Sequence, residues 1–144
     1  MMNEHQVILR ILSSLNELIS RLQNGDTVPR EHIGKFVFFL QYFADKLHHG
    51  KEEERLFKKM VGFGFPREYG PIGIMLAEHN SSREKVKTMS EISTGIGELT
   101  SEEIEKLIVS TTEYIQLLFS HIQKEDNVLY PMALQSLSDE AFDE

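Results

Sequence analysis

The chain has 144 residues, a length that suits one domain built around one hydrophobic core. It contains no cysteine, which excludes disulfide bonds, thiolate-bound zinc, cysteine-ligated iron–sulfur clusters and cysteine nucleophiles. Fifteen Lys and Arg residues against 23 Asp and Glu residues give a formal net charge of -8, the wrong sign for a protein that binds the phosphate backbone of nucleic acid. Any bound metal must therefore be held by nitrogen and oxygen atoms.

No segment of the sequence has the character of a secretion signal or a membrane anchor. The N-terminal residues lack a basic stretch followed by an apolar run and a cleavage site, and no later segment is apolar for long enough to cross a bilayer. These features predict a cytoplasmic protein that binds no membrane. We expect a single domain over residues 1–144, with an acidic C-terminal tail from about residue 138.

Apolar residues recur every three or four positions in four segments, which is the spacing of one helix face. The first segment runs from Ile8 to Leu22, and Asn24-Gly25 ends it. The second segment begins near Pro29, a residue that suits a first helical turn. Its apolar stripe consists of Phe36, Phe39, Leu40, Phe43 and Leu47.

Glycine and proline residues between Gly62 and Pro71 separate the second helix from the third. The third stripe consists of Ile72, Met75, Leu76, Val86 and Met89. Thr100 and Glu103 have the spacing of a capping box at the start of the fourth helix. The fourth stripe consists of Ile104, Ile108, Ile115, Leu118, Ile122 and Leu129. With short connections and no strand-like alternation, the pattern predicts an all-α, up-down-up-down four-helix bundle.

A short motif is repeated in the second and fourth helices. His48 is followed four residues later by Glu52, and His121 is followed four residues later by Glu125. Residues four apart lie on the same face of a helix, one turn along. Both members of each pair can therefore reach one ion.

The first and third helices each carry one histidine on the apolar stripe. His5 and His79 lie near the starts of their helices, whereas His48 and His121 lie late in theirs, so antiparallel packing brings all four to one depth. An isolated histidine on such a stripe is more often a core residue than a ligand. Four at a matched depth, two of them with a glutamate one turn away, predict a metal site instead. Two opposing carboxylates can bridge two ions, and the ligand types suit iron, zinc or manganese.

The register of the site has one alternative. His49 and Glu53 have the same spacing as His48 and Glu52, rotated by one residue. The internal repeat favours His48 and Glu52, which leaves His49 as an additional ligand at the rim or as a neighbour of the ligands. Four further polar residues are interpreted as solvated: Glu53, Glu54, Lys124 and His32.

These motifs resemble those of the hemerythrin-like HHE cation-binding family. The resemblance covers nearly the whole chain and is carried by Glu4-His5, by residues 48–57, by residues 70–79 and by residues 121–131. It implies a non-haem di-iron centre in which both glutamates bridge the ions. The implied ligands are His5, His48, Glu52, His79, His121 and Glu125. Oxygen-carrying hemerythrins of animals have a further histidine on the third helix, where this chain has Met75 and Arg83.

The resemblance also implies a class of function. The favoured hypothesis is a protein that binds dioxygen or nitric oxide for storage, delivery or sensing, with no catalytic residue assigned. One alternative is a di-iron enzyme of oxidative or nitrosative stress defence, which reduces peroxide or nitric oxide or repairs iron–sulfur clusters. Another is a structural metal site or an iron store. The sequence does not identify a protein partner.

Overall fold

The structure is a computed structural model that describes residues 2–136, so the predicted acidic tail lies outside the described residues. These residues form four helices and no strand, which confirms the predicted all-α bundle. The first helix is Met2–Gln23, the second covers residues 30–62, the third is Gly70–Ser93, and the fourth covers residues 101–136. The first helix packs against the fourth, and the third packs against the second and the fourth.

The helices begin and end close to the residues that the sequence indicates. Gly25, with a φ of 83°, follows the first helix in the left-handed conformation that glycine adopts without strain. Thr100 and Glu103 form the predicted capping box, with the Thr100 hydroxyl accepting from the Glu103 backbone N–H and the Glu103 carboxylate accepting from the Thr100 backbone N–H. Pro29 has extended backbone angles and lies directly before the second helix, which begins at Arg30, close to the predicted start.

The second and fourth helices change their winding along their length. In the second helix, α-helix Arg30–Phe39 leads into π-helix Leu40–His49, and π-helix Glu52–Leu56 leads into α-helix Phe57–Gly62. In the fourth helix, π-helix Glu125–Leu129 lies between α-helices Ser101–Lys124 and Tyr130–Ser136. Such i→i+5 winding is rare and is concentrated at functional sites.

The π-helical winding changes which residues of the second helix face the core. An α-helical period places Leu47 on the apolar stripe, but its side chain is 37% exposed in the structure. The wider π turns rotate Ala44, His48 and His49 into the core instead. The prediction for Leu47 was therefore wrong, and the cause is a local change of helical period.

The buried polar side chains lie between two apolar clusters. The larger cluster fills most of the bundle and includes Ile8, Leu15, Leu40, Tyr114 and Leu118. The smaller cluster closes the end of the bundle and consists of Leu56, Phe57, Met60, Ile72, Met75, Leu129, Tyr130 and Ala133. In the second, third and fourth helices, members of the two clusters lie on either side of the predicted ligands, so the histidine and glutamate layer is covered on both sides by apolar side chains.

The connection between the second and third helices lies against the smaller cluster. Phe65 is partly buried and packs on this cluster, whereas Phe63 and Tyr69 are exposed. Gly73 allows the backbone of this connection to approach, because a Cβ atom there would lie 2.8 Å from the Glu68 carbonyl. Within residues 2–136, none of the helices combines the length and the apolar run that a bilayer span requires.

Candidate metal centre

Seven buried side chains form two overlapping groups of candidate metal ligands. Position one comprises His49, Glu52, His79 and His121, and position two comprises His5, His48, Glu52 and Glu125. In each group, one nitrogen or oxygen atom from every residue lies within 4.8 Å of the others. Glu52 belongs to both groups, so its carboxylate is placed to bridge two ions.

The ligand atoms of position two are spaced like neighbouring donors around one ion. The Nε2 atoms of His5 and His48 lie 2.9 Å apart, and Nε2 of His5 lies 3.0 Å from Oε1 of Glu125. Bonds of about 2.1 Å that meet at right angles separate two donors by about 3.0 Å. Side-chain packing therefore preforms edges of a coordination polyhedron.

Position one has the same spacing. The Nε2 atoms of His79 and His121 lie 3.1 Å apart, and Nε2 of His79 lies 3.2 Å from Oε1 of Glu52. The His49 ring stacks on the His79 ring, with centroids 3.9 Å apart and an interplanar angle of 12°. His49 thus adds a third imidazole to this position.

Several of these buried polar atoms have no hydrogen-bond partner of good geometry among the described residues. They are both carboxylate oxygens of Glu125, Oε1 of Glu52, and both ring nitrogens of His49. A buried carboxylate without a partner is costly, and coordination to a cation removes that cost. Each of these three residues offers one ligand atom to a candidate metal position, so this donor set fits a pair of metal ions.

Four of the ligand histidines have Nε2 facing a metal position. The other ring nitrogen of each, Nδ1, is hydrogen-bonded to a carboxylate. A carboxylate accepts a hydrogen bond only from a protonated nitrogen, so each pair places the proton on Nδ1 and directs the Nε2 lone pair at the centre. The pairs are His5 with Asp126 (2.9 Å), His48 with Glu4 (2.9 Å), His79 with Glu53 (2.8 Å) and His121 with Glu78 (3.0 Å).

Three cationic side chains contact these outer carboxylates. Lys51 donates to Glu4 at 2.7 Å, Lys124 donates to Glu78 at 2.7 Å, and Arg83 donates to Glu53 at 2.6 Å. The two ligand carboxylates, Glu52 and Glu125, and the four outer carboxylates number six, so three cations leave an excess of negative charge around the centre within the described residues. Bound cations would offset that excess.

The site is built as two matching halves. Glu4-His5 in the first helix matches Glu78-His79 in the third, and residues 48–53 in the second match residues 121–126 in the fourth. The contacts repeat as well as the residues. Each half has one Lys–Glu–His chain and one His that is hydrogen-bonded to the acid following a ligand glutamate. The repeated motif that the sequence shows in two helices therefore extends to all four.

Two differences between the halves make the metal positions unequal. Tyr130 donates a hydrogen bond of 2.6 Å to Oε2 of Glu52, whereas the matching residue beside Glu125 is Phe57, which has no donor. His49 in the second helix corresponds to Ile122 in the fourth, so only position one gains a further imidazole.

Burial and neighbouring charge set the protonation states at the site. Burial lowers the pKa of His49 well below its ordinary value, and the adjacent His79 adds to the effect, so His49 is a neutral imidazole suited to coordination. Burial alone would raise the pKa of Glu52, but the adjacent imidazoles of His121 and His79 outweigh it and hold that pKa well below the usual range. Glu52 is therefore an ionised carboxylate.

The structure brings together all seven residues that the sequence singles out, and it corrects the interpretation of two others. Glu53 bonds to His79, and Lys124 bonds to Glu78, so neither is simply solvated. Glu54 is exposed and pairs with Lys58, and His32 is exposed, as expected. The contacts that sequence reasoning missed are those of the outer acids Glu4, Glu53, Glu78 and Asp126, and of Tyr130.

Sequence comparisons agree with this arrangement. An uncharacterized protein of Mycobacterium tuberculosis is 24% identical over 131 residues, which cover 91% of this chain and 51% of that relative. The iron-sulfur cluster repair protein YtfE of Pectobacterium atrosepticum is 31% identical over 90 residues, which cover 60% of this chain and 41% of that protein. This chain thus spans about half, or less, of the length of these relatives. No solved structure is significantly similar to it.

The family model of the hemerythrin HHE cation-binding domain matches residues 1–133, which include every residue of both candidate positions. The chain therefore belongs to the hemerythrin HHE cation-binding family.

Proposed function

We propose that the chain binds two iron ions and uses them to bind dioxygen or nitric oxide reversibly, for storage, delivery or sensing. The observation that carries this proposal is the sharing of Glu52 between two preformed ligand groups. Iron, when bound, supplies exchangeable coordination positions and the electrons that binding of a diatomic molecule requires.

The two positions have four ligand residues each but differ in ligand type. Position one has three imidazoles, from His49, His79 and His121, whereas position two has two, from His5 and His48. A second carboxylate, from Glu125, takes the place of the third imidazole at position two. The two ions would therefore be chemically unequal.

The burial of the site favours a small ligand. None of the seven ligand side chains is more than 2% exposed, and apolar clusters cover the layer on both sides. Such a site excludes bulk water and large substrates, which leaves molecules as small as dioxygen and nitric oxide as the favoured ligands. The four outer carboxylates hold the imidazoles in place, so ligand exchange does not require the protein donors to move.

Repair of iron–sulfur clusters is the second candidate. The similarity to the repair protein YtfE favours it, over the 90 residues that match. That role requires release or redox turnover of iron, whereas a carrier or sensor retains its iron through repeated cycles. Retention of iron therefore separates the two proposals.

One experiment tests both. The iron-loaded protein is reduced without oxygen, exposed to air and returned to anaerobic conditions, while its absorption spectrum and its iron content are measured. An oxygen-dependent absorption band that appears and disappears over several cycles, with iron unchanged at about two per chain, supports reversible binding. Irreversible oxidation with peroxide turnover or iron loss supports the enzyme. Less than one iron per chain in wild type and in the exposed-site control His32→Ala would overturn both proposals.

A further inference from the structure

A cleft outside the metal centre opens between the second and third helices and has a volume of about 270 Å³. Its floor is buried and consists of Leu40, His49, Val86 and Tyr114. Its rim carries polar side chains, among them Gln41, Asp45, Arg83 and Lys87. The cleft therefore combines an apolar floor with a polar entrance.

The π-helical part of the second helix forms one wall of this cleft. Leu40, Asp45 and His49 lie within π-helix Leu40–His49 and line the cleft together. The same local winding that turns His49 toward position one therefore also shapes the cleft. Only the His49 side chain would separate a molecule in the cleft from position one.

Two polar side chains on the floor make no hydrogen bond to the other described residues. Tyr114 is 1% exposed, and its hydroxyl, which makes no hydrogen bond within residues 2–136, is not fully enclosed and so opens onto the cleft. Burial raises the pKa of Tyr114, and the nearby Asp45 carboxylate adds to this, so the hydroxyl keeps its proton and can donate. Both ring nitrogens of His49 are also without a hydrogen bond, although coordination would use one of them. The Tyr114 hydroxyl is thus the group that a ligand of the cleft would satisfy.

Charge on the cleft favours a neutral ligand. Arg83 is already occupied, because it donates to Asp45 at 2.7 Å and to Glu53 at 2.6 Å. Lys87 and Glu91 are exposed at the rim and carry opposite charges, four residues apart on one helix. No uncommitted cation lies on the floor among the described residues, so a carboxylate buried there would lack a counter-ion.

The size of the cleft limits the ligand to a molecule of about one ring. A dry cavity of about 150 Å³ holds benzene, and pockets for drug-sized ligands start at about 300 Å³. A volume of about 270 Å³ lies between these values.

We propose that this cleft binds a small, uncharged, largely apolar organic molecule that carries a hydrogen-bonding oxygen, with phenol as the model ligand. The Tyr114 hydroxyl bonds to the oxygen, and the body of the molecule packs against Leu40 and Val86. Binding at this place requires no exchange of ligands at the iron ions, so the site is separate from that of the diatomic ligand.

Equilibrium dialysis of phenol against the metal-loaded protein tests the proposal. We expect saturable binding of one phenol per chain, weakened about three- to tenfold in Tyr114→Phe, which removes only the hydroxyl. Tyr42→Phe is the matched control, since Tyr42 is 53% exposed and does not line the cleft. Iron content, measured on the same samples, should be the same in all variants.

Two further measurements complete the test. Val86→Phe should abolish binding by filling the cleft; if it loses helix content, Val86→Leu adds less bulk and should still weaken binding. Benzoate, which has a ring of the same size and a negative charge, should bind more weakly than phenol. Non-saturable binding of phenol, an equal affinity in wild type and Tyr114→Phe, or tighter binding of benzoate would overturn the proposal. Because dialysis reports binding alone, none of these results depends on reversible oxygen binding.

Discussion

The hydroxyl of Tyr130 donates a hydrogen bond of 2.6 Å to Oε2 of Glu52, and it does so from the smaller apolar cluster. Burial and the charge of Glu52 raise the pKa of Tyr130 well above its ordinary value, so the phenol keeps its proton at neutral pH. One oxygen of the shared carboxylate is therefore held by the protein, and Oε1 is left facing both positions.

Replacement of Tyr130 with Phe should destabilise the metal-free protein more than the metal-loaded protein. A hydrogen bond to a charged group contributes about 1.5–3 kcal/mol, and without metal its loss leaves Oε2 of Glu52 buried and short of a donor. Bound cations would compensate part of that loss. Urea unfolding with and without chelator measures the difference, with the exposed Tyr42→Phe as control. Equal destabilisation in both states would contradict this account.

Alanine substitutions along residues 52–54 should remove metal in a graded order. Glu52 lies in both ligand groups, and Glu53 accepts a hydrogen bond from Nδ1 of His79. Glu54 is 73% exposed and pairs with Lys58. We expect Glu52→Ala to lose most of the metal, Glu53→Ala to weaken metal binding about 10–100-fold, and Glu54→Ala to match wild type. Elemental analysis after dialysis measures the order. Equal loss in the first two variants would show that the second helix has a different register.

Glu78, whose carboxylate accepts a hydrogen bond from Nδ1 of His121, offers a second test of the outer carboxylates. Glu78→Gln keeps a hydrogen-bond acceptor for Nδ1 but removes the charge that Lys124 and His121 share. We expect metal affinity to fall about 10–100-fold with little change in helix content. Glu84→Gln, at an exposed position of the same helix, is the matched control. An unchanged affinity in Glu78→Gln would mean that the outer acid has no influence on the metal.

Removal of metal should lower the stability of the whole bundle. The six carboxylates at the centre contact three cationic side chains among residues 2–136, so the metal-free layer retains excess negative charge. Ligand linkage stabilises the folded state by about 4 kcal/mol when free metal is about 1,000 times its dissociation constant. Thermal unfolding before and after chelation should show a clear fall in Tm that returned iron reverses. A Tm that does not change with metal would show that the ions do not stabilise the folded state.

Acid should weaken the ion pair between Arg30 and Glu103, which lies at the end of the bundle away from the metal centre. Arg30 donates to Glu103 at 2.8 Å and to the carbonyls of Ile92 and Gly97, which ties the second helix to the connection before the fourth. The Arg30 hydrogen bond, with that from Thr100, lowers the pKa of Glu103 from 4.5 to about 2. A carboxylate with a lowered folded-state pKa stabilises the fold above its unfolded-state pKa and loses that contribution as pH falls toward the folded-state pKa.

The expected result is a pH-dependent difference between wild type and Glu103→Gln. Wild type should be more stable at pH 6, and the difference should shrink as pH falls from about 4.5 to about 2. Unfolding curves at several pH values measure it, and the metal centre affects both proteins alike. A difference that is constant with pH would show that the charge of Glu103 does not contribute.

The helices and the gathering of the ligands could be predicted because both depend on periodicity. Apolar residues three or four apart define each stripe, and His5, His48, His79 and His121 occur at depths that match once the helices alternate in direction. Leu47 shows where this reasoning fails. A π-helical segment changes the period locally, and no residue in Leu40–His49 signals the change.

The outer carboxylates could not be predicted for a different reason. Glu4, Glu53, Glu78 and Asp126 are each adjacent in sequence to a ligand, and adjacent residues on a helix point in different directions. They therefore have the pattern of solvated charges. Their role depends on a histidine of a neighbouring helix, which the contacts in the structure reveal. Their adjacency to four predicted ligands was the one available signal.

The distribution of ligands along the chain restricts when metal can enter. The hydrogen bond between His5, a ligand of position two, and Asp126 joins residues that are 121 positions apart in sequence. Position one lacks a ligand until His121 has packed into the bundle. Residues up to His121 and Glu125 must therefore be synthesised before the two positions have all their donors, and high-affinity metal binding cannot guide the early steps of folding. We therefore expect metal to be acquired only after all four helices have been synthesised.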